Sequence, residues 1–326
     1  MDFDELDELA PTDINDQKPK GTILEPLARN LRIPDDNRLP DMVTKRLPPN
    51  NGTPVKERTI KLRLLCTMGA ADSVVQEWCY MAHDAPEDIE VITHEPPGHG
   101  TRVNENICVT LEDMGNDAYE AFKEAMNDGP FALYAHSIGC LTAVYVAERA
   151  KRELKVEPVI VFMCERGAAH IEAFSEYGME LMRTDPLAFI KIRQPDTGKA
   201  CEDPKIGPQA LRMWGNDLKL ENDTRPIGFH TFSCPLICLR CSVIPFKVCP
   251  KEVLEAAKDQ IAIHNQKKDY LGHFGPSEFK EWESWTNHER SAVIHLIEDS
   301  NHMTIKSNPT ARKILWDELK AVIATF

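Results

Sequence analysis

The chain has no apolar run of the roughly 20 residues needed to cross a bilayer. Its first residues show neither a basic stretch leading into an apolar one nor an Arg- and Ser-rich transit pattern. These absences point to a soluble protein of the cytoplasm with no membrane span. Positive charge is scarce as well: 38 Lys and Arg stand against 52 Asp and Glu, a net charge of −14 over 326 residues. That balance argues against a nucleic-acid surface and supplies no polybasic membrane signal. Paired cysteine motifs are also missing. The ten cysteines are scattered, and Cys238 and Cys241 form a lone C-x-x-C, so reduced thiols are expected and no metal site. No internal repeat is visible.

Residues 1–55 are rich in Asp, Pro, Asn and Lys with little periodicity, and read as an acidic, disordered or loosely docked extension. From residue 56 to 326 the texture is that of one α/β domain. Strand-like runs occur at Ile60 to Leu65, Ile89 to Thr93, Phe131 to Ala135, Val159 to Met163, Pro235 to Leu239 and Val293 to Ile297. Helical patterns occupy Ser73 to Asp84, Leu111 to Met126, Leu141 to Lys151 and Pro309 to Thr325. Strands alternating with helices imply a mostly parallel, doubly wound sheet whose sites gather at the carboxyl ends of the strands. Two segments break the alternation: about 171–232, read as a helical lid insertion, and about 250–290, with a helix from Lys251 to about Asn265.

Ala135-His136-Ser137-Ile138-Gly139 lies where an apolar strand meets a helix of small residues. A serine on such a sharp turn presents its hydroxyl above the sheet edge as a nucleophile elbow, and the next amide helps bind an oxyanion. The alternative is that Ser137 is an ordinary helix N-cap. A serine nucleophile needs a base on the loop after the last strand, and His302, in Glu298-Asp299-Ser300-Asn301-His302-Met303, occupies that place. Otherwise His302 is one more exposed loop histidine. Thr67-Met68-Gly69, after the first strand of the domain, is placed to give a second oxyanion donor, or is only a strand-to-helix turn.

The order of these motifs resembles that of type II thioesterases, the stand-alone hydrolases of polyketide and nonribosomal peptide synthases, within the α/β-hydrolase fold. Leu65 to Ala71 leading to Trp78 is similar to the family's early F-P-x-A-G-G loop and helix. Glu95-Pro96-Pro97-Gly98-His99-Gly100-Thr101-Arg102 is similar to its L-P-G-R-G-x-R loop, and Ala135 to Gly139 to its G-H-S-M-G elbow. Cys164 to His170 matches its S-G-R-x-A-P-H strand end, and Ser300 to Thr304 its G-G-H-F-F. The resemblance implies Ser137 as nucleophile, His302 as base, and the amides of Met68 or Thr67 with Ile138 as oxyanion donors. It also implies an acyl thioester substrate on a carrier protein or coenzyme A, a monomer, and no cofactor.

One departure is plain. The family places its third triad residue after the fifth strand named here, and Leu239-Arg240-Cys241-Ser242-Val243-Ile244-Pro245 holds no carboxylate. Glu165, ending the preceding strand, is the substitute that animal fatty-acid synthase thioesterases suggest. Its alternative is an ion pair with Arg166 or a lid residue. Asp217, Asp259 and Asp269 are poorer candidates. In the lid, Met179, Met182, Met213 and Trp214 suit an acyl pocket or simply pack on the core. Lys191, Arg193 and Lys199 form a strip that would dock a carrier protein or a solvated face. Two other readings stay open: a carboxylesterase or lipase-like hydrolase with the same machinery, and a degenerate α/β-hydrolase that acts as a binding partner.

Overall fold

The computed structural model describes residues 44–46, 59–70, 81–82, 84–174, 176–193, 198, 201–223, 231–242, 274, 276–290 and 292–326. Their strands are β1 (Thr44–Arg46), β2 (Leu62–Thr67), β3 (Ile89–His94), β4 (Phe131–His136), β5 (Val161–Cys164), β6 (Leu236–Cys241) and β7 (Ala292–Ile297). They form one sheet in the order β1-β3-β2-β4-β5-β6-β7. All neighbours are parallel except β1, which pairs antiparallel to β3 with Thr44 opposite His94. This is the doubly wound α/β arrangement expected, with one strand more. Its edge strand β1 lies inside the 1–55 segment assigned to a loose extension; the remainder of that segment is outside the described residues.

Every residue of β4 is buried, because the central strand is covered on both faces. Phe131, Leu133 and Ala135 face a core shared with α1 (Leu111–Asn127) and α2 (Gly139–Arg149), while Ala132 and Tyr134 face a second core closed by α7 (Pro309–Ile323). Period-2 alternation thus feeds two cores at once, as a buried parallel sheet requires. The flanking helices start where their sequences say they should. Thr110 accepts from the Asp113 amide at 3.0 Å with Glu112 and Asp113 in the first turn of α1, and Asn308 caps α7 ahead of Pro309.

Between β5 and β6 lie α3 (Glu176–Thr184), α4 (Pro186–Arg193) and α5 (Gly207–Asp223), inside the segment read as a lid; α6 (Pro276–Lys280) precedes β7. The expected helix from Lys251, and with it Asp259 and Asp269, lies outside the described residues, as do Trp78 and most of the helix expected over 73–84.

Two buried ion pairs tie α5 to the sheet edge. Arg166, fully buried, donates to the carbonyls of Gly167, Ala168 and Ile171 at 2.9, 3.1 and 2.9 Å, and its Nε lies 3.4 Å from Glu221 of α5. Its guanidinium also stacks over the Phe274 ring, 4.7 Å from the centroid. In the loop after β3, His99 Nε2 meets Asp217 of α5 at 2.7 Å, and its Nδ1 donates to the Pro97 carbonyl at 2.9 Å. That loop is itself pinned by Arg102, which donates to the Glu95 carbonyl at 2.8 Å and to Glu105 and Asp117 at 2.7 and 2.6 Å. Burial disfavours a charged imidazole, but the charge and hydrogen bond of Asp217, helped by the Pro97 carbonyl and Glu95, outweigh it and raise the His99 pKa to about 9.

A raised folded pKa contributes stability that is complete below the ordinary value of 6.5 and is lost as pH rises through about 9. Asp217→Asn is therefore expected to cost about 3 kcal/mol at pH 6, and thermal melts should show the gap to wild type narrowing as pH passes 9. An equal gap at pH 6 and pH 10 would show that the pair carries no proton-linked stability.

Candidate active site

The strand-to-helix turn after β4 is built by close backbone approach. Ser137 holds a left-handed backbone with φ of 55°, a conformation that costs a non-glycine residue about 1–3 kcal/mol. Its amide donates to the Cys164 carbonyl of β5 at 2.9 Å, and its own carbonyl accepts from Cys140 at 2.9 Å. Two residues on, a Cβ at Gly139 would lie 2.5 Å from the Thr67 carbonyl oxygen and 2.6 Å from that of Met68. Only glycine lets α2 start this near the end of β2. Thr67 reinforces the approach, its hydroxyl donating to the Gly139 carbonyl at 2.8 Å. The loop of Thr67 and Met68 is thereby set against the elbow, with Thr67, Met68, Ser137 and Ile138 all buried.

Ser137 is not a helix cap. The cap position of α2 is Ile138, and no side chain bonds there. The Ser137 hydroxyl is buried with no hydrogen-bond partner among the described residues. A buried hydroxyl left in that state is costly unless something else engages it.

His302 is buried as well, on the loop after β7, which Asp299 turns with a left-handed φ of 53°. Two contacts place it. The preceding residue of the elbow, His136, donates from Nε2 to the His302 carbonyl at 2.8 Å, and the two rings lie 4.8 Å apart at 49°. Since a carbonyl only accepts, His136 Nε2 must carry the proton. The ring of His302 donates from Nδ1 to Glu165 Oε2 at 3.3 Å.

Glu165 directly follows β5 and is turned by a third left-handed φ, 60°. Its carboxylate accepts the Cys241 amide at Oε1, and the Cys241 thiol at Oε2 at 2.9 Å. Burial by itself would raise this carboxyl, but the hydrogen bond and charge of His302 and the two Cys241 donors outweigh it and hold its pKa at about 2. For Cys241 the same neighbourhood acts the other way: burial first, then the Glu165 charge, push the thiol up, so it stays protonated and donates. The alternative pairing of Glu165 with Arg166 does not occur, because Arg166 is paired with Glu221. Asp217 is committed to His99. At the position where the resemblance led us to look for an acid, Ser242 donates its amide to the Ile297 carbonyl at 3.1 Å, and Ile244 is outside the described residues.

Of the lid residues singled out, Met182 and Trp214 are buried in the core, Met179 packs against it half-buried, and Met213 is half-buried. In the basic strip, Lys191 is ion-paired with Glu202, Lys199 lies outside the described residues, and of the Arg193 side chain nothing is described. Sequence reasoning missed three participants: His136, Cys241 and the His99–Asp217 pair. His136 stood inside the elbow motif itself, whereas the other two depend on pairings 76 and 118 residues apart in the chain, for which no local pattern exists.

A buried serine on a strained elbow, whose neighbour His136 contacts an imidazole held by a carboxylate, is the equipment of acyl transfer. Comparison with known proteins agrees. A family model described as "Thioesterase domain" matches residues 65–314. The gramicidin S biosynthesis protein GrsT of Aneurinibacillus migulanus is 32% identical over 113 residues, 34% of this chain and 43% of that protein. The medium-chain S-acyl fatty acid synthase thioesterase of Homo sapiens is 27% identical over 118 residues, 36% and 43% of the two chains. These alignments span less than half the length of either relative. Among solved structures, the type II thioesterase BorB of the borrelidin biosynthetic cluster superposes with a TM-score of 0.63 at 16% identity, covering 86% of this chain and 98% of that one. The RedJ thioesterase of the prodiginine pathway in Streptomyces coelicolor gives 0.58 at 18%, covering 84% and 93%; identities this low speak to fold alone. With the family model spanning most of the domain, the chain belongs to the thioesterase-domain family.

Proposed function

We propose that this protein is a serine thioesterase that hydrolyses acyl thioesters held on the phosphopantetheine arm of a carrier protein or on coenzyme A. In this role it releases or edits chains during polyketide, peptide or fatty-acid synthesis. The observation that carries the reading is the hydrogen bond from His302 Nδ1 to Glu165 at 3.3 Å, which puts the ring's proton on Nδ1 and makes Nε2 the basic nitrogen.

In the proposed reaction Glu165 fixes the tautomer with the proton on Nδ1, so Nε2 of His302 accepts the Ser137 proton. Ser137 Oγ attacks the thioester carbonyl, and the amides of Ile138 and Met68, with Thr67 behind them, stabilise the oxyanion. The carbon–sulfur bond breaks, the thiolate takes the proton from the imidazolium, and an acyl-serine remains. Water, deprotonated by His302, attacks that ester; the acid leaves and Ser137 regains its proton. Met179, Met182, Met213 and Trp214, on helices inserted between β5 and β6, supply the apolar contacts for the acyl chain. The same machinery would serve oxygen esters. A partnered His302 weighs against a purely binding role, for a retired base has no need of an orienting carboxylate.

Acyl-N-acetylcysteamine and acyl-carrier-protein thioesters of graded length, offered beside matched oxygen esters, test this directly. Wild type should turn over thioesters in preference, and Ser137→Ala should lower kcat about 1,000-fold or more. Equal rates for wild type and the variant on every ester would sink the catalytic reading.

Glu165→Gln should lower kcat by about 100-fold or more with KM little changed, and should also destabilise the fold. A depressed carboxylate pKa contributes stability that is complete above the ordinary value of 4.5 and is lost as pH falls toward 2. Urea midpoints of wild type and Glu165→Gln should therefore differ most at neutral pH and converge below pH 4.5. A constant difference would mean that the carboxylate is not held as an anion.

A further inference from the structure

The end of β6 carries no carboxylate, yet it supplies two of the contacts that hold Glu165. The Cys241 amide donates to Oε1, and the Cys241 thiol donates to Oε2 at 2.9 Å. Oε2 is also the oxygen that accepts His302 Nδ1–H at 3.3 Å. A glutamate has one more rotatable bond than an aspartate, and here it departs from a left-handed backbone position. Left to itself, such a side chain can turn its carboxylate plane away from the imidazole. Two donors from one residue, one on each oxygen, remove that freedom.

We propose that Cys241 is a positioning residue of the hydrolytic site, its S–H holding the Glu165 carboxylate in the plane that engages His302. The proposal rests on the reading of Ser137, His302 and Glu165 as one catalytic unit.

The residue type suits the task. A second carboxylate here would repel Glu165, and an apolar side chain would leave Oε2 with His302 alone. A buried thiol is neutral, donates weakly, and fills the volume that a strand end packed against β5 and β7 provides. The charged and titratable groups around the pair are His136 from β4, Cys164 beside Glu165, Arg240 beside Cys241, and Lys306 from the turn after His302, whose charge reaches Cys164. Among the described residues, the side chains that donate to the Glu165 carboxylate are those of His302 and Cys241.

Three variants separate donation from packing. Cys241→Ser keeps a donor, Cys241→Val keeps the volume without one, and Cys241→Ala keeps neither. On acyl-N-acetylcysteamine, Ala and Val should each lower kcat about fivefold with KM unchanged, while Ser recovers most of the loss. Loss of the thiol lets the carboxylate turn from the ring, so the imidazolium is stabilised less. The acidic limb of the kcat/KM profile should therefore move to lower pH in Ala and Val and return in Ser. Titration of the His302 imidazole by long-range proton–nitrogen NMR should show the same displacement with no substrate present. Recovery by Val but not Ser would assign Cys241 to packing and overturn the proposal, as would a limb and a His302 titration that stay fixed in all three. Should Ala fail to fold, the Val and Ser pair decides. A wild type without thioester turnover, whose His302 titration still follows Cys241, would strike the thioesterase reading and leave the positioning role standing.

Discussion

Ser137 holds a φ of 55° at the end of the central strand, and much of the architecture is what that one backbone conformation requires. It survives because its amide is bonded to β5, its carbonyl starts α2, and Gly139 lets the helix meet the carbonyls of Thr67 and Met68. A strand less deeply buried than β4 would relax the turn, since the strain of about 1–3 kcal/mol must be offset by surrounding packing. Buried on both faces, β4 has no room to do so. Apart from Lys155 at the end of the segment after α2, the other non-glycine residues with positive φ among those described are Glu165 and Asp299, after β5 and β7. Strain is thus concentrated at one edge of the sheet, where the proposed chemistry occurs.

Buried charge is the second constraint, and it is met in pairs. Glu165 with His302, His99 with Asp217 and Arg166 with Glu221 each place ionisable groups where water does not reach. Such pairs add little net stability over apolar substitutes, but breaking one leaves an uncompensated charge. Their effect is to specify positions. Two of the three connect the edge of the sheet to α5, and the third connects β5 to the loop after β7. Helices inserted between two strands have few backbone ties to the sheet, so side-chain pairs of this kind set where α5 lies over the strand ends.

Much of this was legible in the sequence because it is written in local periodicity. The six strands from β2 to β7 fall within two or three residues of the apolar runs, and α1 and α7 begin at their capping residues. Ser137 and His302 are picked out by position relative to those strands and by the family resemblance, and Glu165 by the resemblance to animal fatty-acid synthase thioesterases together with its place at the end of a neighbouring strand. Other features were not legible, for physical reasons. β1 is three residues long in a polar, Pro-rich stretch, and its pairing with β3 depends on tertiary approach. A thiol donating to a carboxylate 76 residues away, or an imidazole buried against an aspartate 118 residues away, leaves no periodic trace. The lone C-x-x-C of Cys238 and Cys241 gives no hint that the Cys241 thiol donates to a carboxylate.

In the proposed site the acid stands one strand earlier than the resemblance places it, and this has a consequence for how the site is held together. An acid on a loop after β6 could be oriented by its own backbone, with the side chain short and the loop free to adapt. Placed after β5, Glu165 reaches across the end of β6 to His302, so its carboxylate passes directly over Cys241. A side chain at 241 that cannot donate leaves Oε2 to the His302 ring and loses the second tie on that oxygen. The backbone amide meets one oxygen whatever the side chain. The other oxygen accepts from His302 and from the Cys241 thiol, and among small residues that suit the end of a buried strand, cysteine, serine and threonine carry such a donor. On this proposal the position of the acid and the identity of residue 241 are linked: a carboxylate placed after β5 makes the end of β6 the platform that orients it.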